Sequence, residues 1–244
     1  MRSFIITALD PDSCYFTCDI PTMAKKYTPY PLQEDLTPED LERLRRAGTI
    51  AVDTELTGLN PNRDLLCLVQ ISDGDRNVNF LKTLDWSRSV WLKELLLDPG
   101  VTKIFHFAIA DCSFFLSHLG VTVNSAYCTK IASKIARTYS PEHSLSVLVK
   151  EFFKVELDKS QTSTDWLRHD LSADQLSYAA NDVIWLIQLK QEMDALLARK
   201  GRLPTGLTYS DLNANCQALI PTLVHLAVNG WDFGKEDRIS VFGY

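Results

Sequence analysis

Three apolar runs, residues 49–56, 64–72 and 76–82, follow one another with only the turn-forming stretches "LNPNRD" and "SDGDR" between them. Connections this short join antiparallel neighbours, so a three-stranded meander is expected here. After a helix over 86–97, ended by "DPG", the pattern changes to strand 101–107, helix 110–119 stopped by Gly120, strand 121–127 and helix 129–138. Strands that alternate with helices pair in parallel, because each crossover returns the chain to the same end of the sheet. A meander feeding such alternation predicts an α/β fold: one mixed sheet with helices on both faces.

The flanks carry clear punctuation. In "TPEDLERLRRAG", Thr37 is the N-cap and Pro38 the first helical residue, acids fill the first turn and bases the last, and Gly48 is the stop. Residues 1–33, with Pro21, Pro29 and Pro31 and the alternating "CYFTCDI", read as an N-terminal extension holding one strand. Ser172 and Gln175 form a capping box that starts a long helix near Ala173, and a last helix is expected over 211–229. The organisation expected is therefore an extension over 1–33, one domain over 34–200 and a helical segment over 201–244. With 45% hydrophobic residues in 244, the chain can bury a substantial core. Its net charge of −6 argues against gripping long nucleic acid through the overall field and leaves short substrates in a specific site. Cys14, Cys18, Cys67, Cys112, Cys128 and Cys216 include no CxxC pair and no zinc-finger spacing with His, which reads as reduced thiols. The N-terminal apolar run is broken by Asp10 and Pro11, too soon for a signal peptide or membrane span, so a cytoplasmic protein is expected.

Against that background four carboxylates stand out. Asp53 and Glu55 interrupt the first apolar strand two positions apart, hence on one face. Asp182 sits on the apolar side of the long helix, with Trp185, Leu186, Leu189 and Met193 after it and Tyr178 four residues before it. Asp111 lies near the start of a helix whose other residues include Phe114, Phe115 and Leu119. Taken singly, Asp182 could be a solvated helix residue and Asp111 a favourable charge at a helix N-terminus. Together on inward-facing positions they would repel and raise one another's pKa unless a strong positive charge lay between them. No Lys or Arg neighbours Asp53, Glu55 or Asp182 closely in sequence, which points to a pair of hard divalent cations, Mg²⁺ or Mn²⁺.

"VDTE", "IFHFAIAD" and "YAAND" resemble the three motifs of the DEDD-type 3′–5′ exonucleases, in the subclass whose third motif is Tyr-x-x-x-Asp; Ser177 stands where the sibling subclass has His. The linking stretches "RDLLCLVQIS", "CTKIASKIARTYS" and "TDWLRHDLSADQLSYAANDV" are similar to RNase D relatives, most nearly the short nanoRNase C group. The resemblance spans roughly 34–244 and implies an RNase H-like sheet. It also implies two-metal phosphodiester hydrolysis, with Asp53, Glu55, Asp111 and Asp182 as ligands and Tyr178 orienting the attacking water. The implied substrate is a short oligoribonucleotide 3′ end, dinucleotides above all, cut to nucleoside 5′-monophosphates, with DNA left open. "DTELTGL" resembles the first motif of oligoribonucleases, which makes Leu59 a wedge between two bases; an ordinary core Leu is the alternative. His106 and Phe107 would stack on or border the terminal base; a satisfied strand histidine is the alternative for His106. Lys130, Ser133, Lys134, Arg137 and Tyr139, with no acidic partner, form a basic helix that would receive a 5′ phosphate; a solvated basic face is the alternative. Relatives of this kind form ring-like homo-oligomers, with an octamer among the sizes expected. Two other functions stay open: a broader RNase D-like or Werner-type exonuclease on longer RNA or single-stranded DNA, and a non-catalytic nucleic-acid-binding protein of the same fold.

Overall fold

The structure is a computed structural model, describing residues 28–29, 31–75, 77–157 and 164–230. The strand expected in "CYFTCDI" lies outside the described residues. Among them, six strands form one mixed sheet in the order β1-β4-β3-β2-β5-β6. The meander is present as β2 (Thr49–Leu56), β3 (Leu66–Ser72) and β4 (Asn77–Leu81), all antiparallel. β1 (Thr28–Pro29) adds to β4 in parallel, and β5 (Thr102–Phe105) and β6 (Ala126–Cys128) extend the other side, also in parallel.

Residue alternation on β2 explains the layering. Ile50 and Val52 face a core shared with α1 (Pro38–Ala47), α2 (Val90–Leu97) and α3 (Ala108–Leu119). Ala51 faces the opposite core with α4 (Thr129–Ala136), α5 (Leu145–Phe153), α6 (Ala173–Val183) and α7 (Leu186–Arg199). Asp53 and Glu55 share the parity of Ala51, so their side chains project toward α6. The expected caps are in place: Thr37 closes a capping box with Asp40, Gly48 ends α1 at φ 65°, and Ser172 closes one with Gln175.

Several boundaries differ from expectation, each for a local reason. The helix expected over 86–97 starts as a 3-10 turn at Trp86–Arg88, and α2 begins only after Ser89, its first amides accepted by the carboxylate of Asp35. Only the end of 121–127 pairs as a strand; Val121 and Val123 are buried without joining the ladder. The long helix divides into α6 and α7 at Ile184 and Trp185, where the indole is buried and stacks on Phe153 with centroids 5.2 Å apart. The last helix divides likewise into α8 (Tyr209–Ala218) and α9 (Ile220–Asn229), with Pro221 in the first turn of α9. No described helix is long and apolar enough to cross a membrane.

Candidate active site

β5 pairs with β2 only from Thr49 to Ala51 and then gives way to α3. The part of β2 that carries Asp53 and Glu55 is thus left without a strand on that edge, and the N-terminal turn of α3 brings Asp111 to it. From the other side, α6 packs on β2 and β3 and supplies Asp182. Asp53, Glu55 and Asp182 each present an oxygen within 4.8 Å of the others. Asp111, buried, accepts a 2.6 Å hydrogen bond from the Thr54 hydroxyl, so its carboxylate is held by the residue between the two strand acids. Tyr178 stands one turn before Asp182 on α6, where its hydroxyl favours the charged form of that carboxylate.

The electrostatics match the geometry. Asp53, Glu55 and Asp182 are half-buried as residues, yet their carboxyl heads are desolvated. Desolvation first, then Asp111, Asp182 and Glu55, push Asp53 well above the usual carboxylate range. Desolvation, with Asp182 and Asp111, lifts Glu55 to about 9. Asp111 and Asp182 rise to about 7, again mainly by desolvation, with Thr54 and Tyr178 opposing the shift. Among the described residues, no Lys or Arg acts on any of the four. Gln70, directly opposite Asp53 on β3, turns its amide toward both strand acids, donating to Asp53 at 2.6 Å and to Glu55 at 3.5 Å. A cluster of hard oxygen donors that lacks an internal counter-charge fits a divalent cation.

Gln70 and Thr54 were not singled out by sequence reasoning. A signal existed for Gln70, the polar interruption in the wholly buried strand "LCLVQIS". Thr54 points to the opposite face from its neighbours, and its role follows only from the three-dimensional path of α3.

The expected substrate residues fall into two groups. Leu59, at the tip of the β2–β3 loop, is 84% exposed, which removes the alternative of an ordinary core residue. Phe107 starts α3 at φ 81°, an uncommon conformation for an aromatic, and holds its half-exposed ring under Lys130, whose ammonium is 4.4 Å from the centroid. His106 bonds the Thr129 hydroxyl through Nδ1 at 2.8 Å. That hydroxyl also donates to the Phe105 carbonyl at 3.0 Å, and burial lowers the His106 ring to about 4. Ser133 and Arg137 belong elsewhere. Arg137 is 1% exposed and forms a two-pronged ion pair with Glu151 on α5, with Ser133 and the Glu142 carbonyl completing its bonds. Tyr139 also donates to Glu151. The expectation of a basic helix without an acidic partner is therefore corrected: the partner comes from α5, an element the sequence did not announce. Lys134 remains exposed.

A family model described as 3′–5′ exonuclease matches residues 30–198, the stretch that holds this sheet and these acids. The chain belongs to the 3′–5′ exonuclease family. Ribonuclease D of Escherichia coli (strain K12) is 33% identical over 169 residues, which cover 68% of this chain and 44% of that protein. The chain thus spans less than half the length of that curated relative. A particular likeness is closer in size: the structure of Brucella melitensis NrnC bound to pGG superposes with a TM-score of 0.77 at 34% identity, covering 88% of this chain and 99% of that one. The same nuclease with bound Mg²⁺ gives 0.75 at 34% identity over 86% and 97% of the two chains.

Proposed function

We propose that this protein is a 3′–5′ exoribonuclease that hydrolyses short oligoribonucleotides, dinucleotides in particular, to nucleoside 5′-monophosphates. The observation that carries the reading is the meeting of Asp53, Glu55 and Asp182 around one point, with Asp111 alongside and Tyr178 one turn before Asp182. These four carboxylates would hold two Mg²⁺ or Mn²⁺ ions, and bound divalent ions would supply charge for water activation and for the departing 3′ oxygen. The chain's own groups do the rest. Gln70 fixes the rotamer of Asp53, Thr54 that of Asp111, and Tyr178 places a hydroxyl at the edge of the cluster where an attacking water can be oriented. Tyrosine's ordinary pKa near 10 suits it to orienting rather than to abstracting the proton.

Short substrates are supported by two features of this chain and one of a relative. Leu59 is an exposed apolar side chain on the loop that leaves the acidic strand, and Phe107 offers an exposed ring at the start of the helix that carries Asp111. NrnC, similar over nearly its whole length, has been seen with pGG. The reading includes a homo-oligomer, a size such as an octamer being measurable by light scattering. Incubation of 5′-labelled RNAs from two to twenty nucleotides with Mg²⁺ or Mn²⁺ tests the activity. Rapid loss of dinucleotides with slow trimming of twenty-mers is expected. Equal rates at all lengths would favour a broad RNase D-like exonuclease instead, and no cleavage with either metal would exclude the catalytic reading.

A further inference from the structure

The segment 164–171 leads into α6 and meets the end of β4 through Lys82, and nothing said so far gives it a task. Its central residue, Trp166, is 4% exposed and lies in the same core as Cys67, Leu68 and Ala179. The indole centroid is 6.1 Å from the ring of Tyr178, tilted by 41°, within the separation at which aromatic rings attract. Trp166 is thus part of the wall against which the Tyr178 ring rests. Its own indole Nε1 is buried with no hydrogen-bond partner among the described residues, so the N–H does not fix the ring in place.

What fixes it is the backbone. The ammonium of Lys82 donates to the Trp166 carbonyl at 2.6 Å and to the Cys67 carbonyl on β3 at 3.4 Å. Lys82 follows directly on β4, and its amide is bonded to the Gln33 carbonyl at 2.7 Å, so the root of the side chain is anchored in the sheet. A second tie comes from the helix: the Gln175 side chain, already in the capping box of α6, donates to the Thr164 hydroxyl and the Asp165 carbonyl, both at 3.2 Å. The strap is therefore held to α6 by Gln175 at Thr164 and Asp165 and to the sheet by Lys82 at the Trp166 carbonyl, with Tyr178 against the Trp166 ring.

We infer that Lys82 is a positioning residue for Tyr178, acting through the Trp166 backbone. A charged donor bonded to a carbonyl in a partly buried site makes one of the stronger hydrogen bonds available to a protein. Without it the sheet side of the strap is free, the indole can shift, and the Tyr178 hydroxyl loses the wall that sets its angle toward Asp182. Small displacements of a group that orients water cost rate rather than affinity. The inference rests on the exonuclease reading and deepens it, since it concerns how that site is aligned.

The test is a double-mutant cycle on dinucleotide RNA with Mn²⁺, using Lys82→Met, Lys82→Arg and Tyr178→Phe alone and in combination. Lys82→Met keeps the apolar stem and removes the ammonium. It should lower kcat about 10-fold with KM within about twofold of wild type. Lys82→Arg, which can still reach a carbonyl, should recover most of the loss. In the Tyr178→Phe background, Lys82→Met should cost less than about twofold, because the hydroxyl it served is gone. Calorimetric Mn²⁺ affinity should be unchanged in all single variants. Should Lys82→Met not fold, Trp166→Phe carries the same expectation from the ring side. Equal losses in the wild-type and Tyr178→Phe backgrounds, a loss confined to KM, or an unaffected Lys82→Met in an active enzyme would each overturn the inference alone. A wild type that cleaves no RNA would overturn the exonuclease reading and this inference with it.

Discussion

The four carboxylates form a pocket of desolvated, mutually repelling groups, and that has a direct consequence for stability. Their folded-state pKa values lie above the ordinary 3.8 of Asp and 4.5 of Glu, near 7 for Asp111 and Asp182 and near 9 for Glu55. The native state therefore binds protons more tightly than the unfolded chain, and these groups contribute stability that is fully present below about pH 4 and lost as pH rises through 7 and 9. In chelator, the thermal midpoint attributable to this site should fall between pH 6 and pH 9; saturating Mn²⁺, competing with the protons, should flatten the slope. A slope that Mn²⁺ leaves untouched would place the metal elsewhere. Asp182→Asn has almost no volume change and removes one of the repelling charges. It should abolish metal-dependent cleavage while raising the metal-free midpoint at pH 8 by a few degrees, the equivalent of roughly 1–2 kcal/mol. Differential scanning calorimetry with a parallel activity assay checks both signs. Residue spacing alone disclosed these acids, because a charge breaking an apolar strand or helix face is visible in sequence. Gln70 and Thr54 were less visible, since a neutral polar residue in a strand has many harmless explanations.

At the scale of elements, what could be read from sequence depended on whether a boundary is set locally. Capped helices such as α1 and the start of α6 were legible to the residue, because Thr37, Gly48, Ser172 and Gln175 do their work within one turn. The break between α6 and α7 was not, because no Gly or Pro marks it; it coincides with burial of Trp185 against Phe153, a residue on α5, which itself went unread. The same helix changes the meaning of Arg137. Read from its own helix, Arg137 looked available to a 5′ phosphate; paired with Glu151 it is a strut between α4 and α5. Arg137→Ala should accordingly cost roughly 2–4 kcal/mol of stability, less than a fully buried pair because Glu151 is partly solvated. Any loss of activity should be equal for RNAs with and without a 5′ phosphate. Denaturant unfolding and paired rate measurements test this, and a selective loss on 5′-phosphorylated substrates with unchanged stability would return Arg137 to substrate binding.

For the molecule as a whole, the informative feature is how two distant stretches converge on the loop that displays Leu59. Asp64 accepts the Asn60 amide at 2.9 Å and lies so close under Gly58 that a Cβ there would stand 2.2 Å from its oxygen. Ser117 on α3 donates to the Pro61 carbonyl at 2.6 Å, and Asn62 donates to the Val228 carbonyl at the end of α9, also at 2.6 Å. The loop is thus tied to α3 and to the C-terminal helix pair, beyond the 30–198 stretch matched by the family model. A leucine kept 84% exposed by a fastened loop has no packing role in the free protein. If its partner is a pair of bases, Leu59→Ala should leave the thermal midpoint unchanged and lose about 2–3 kcal/mol of apolar contact on the substrate, roughly 30- to 150-fold in kcat/KM. The loss should be greatest for dinucleotides, where two bases carry nearly all the binding, and should shrink for five- and ten-nucleotide RNAs that make further contacts. Rates for wild type and Leu59→Ala on the three lengths decide the matter. An equal loss at every length would make this a general 3′–5′ exonuclease, and no loss at any length would leave Leu59 as an exposed side chain without a part in the reaction.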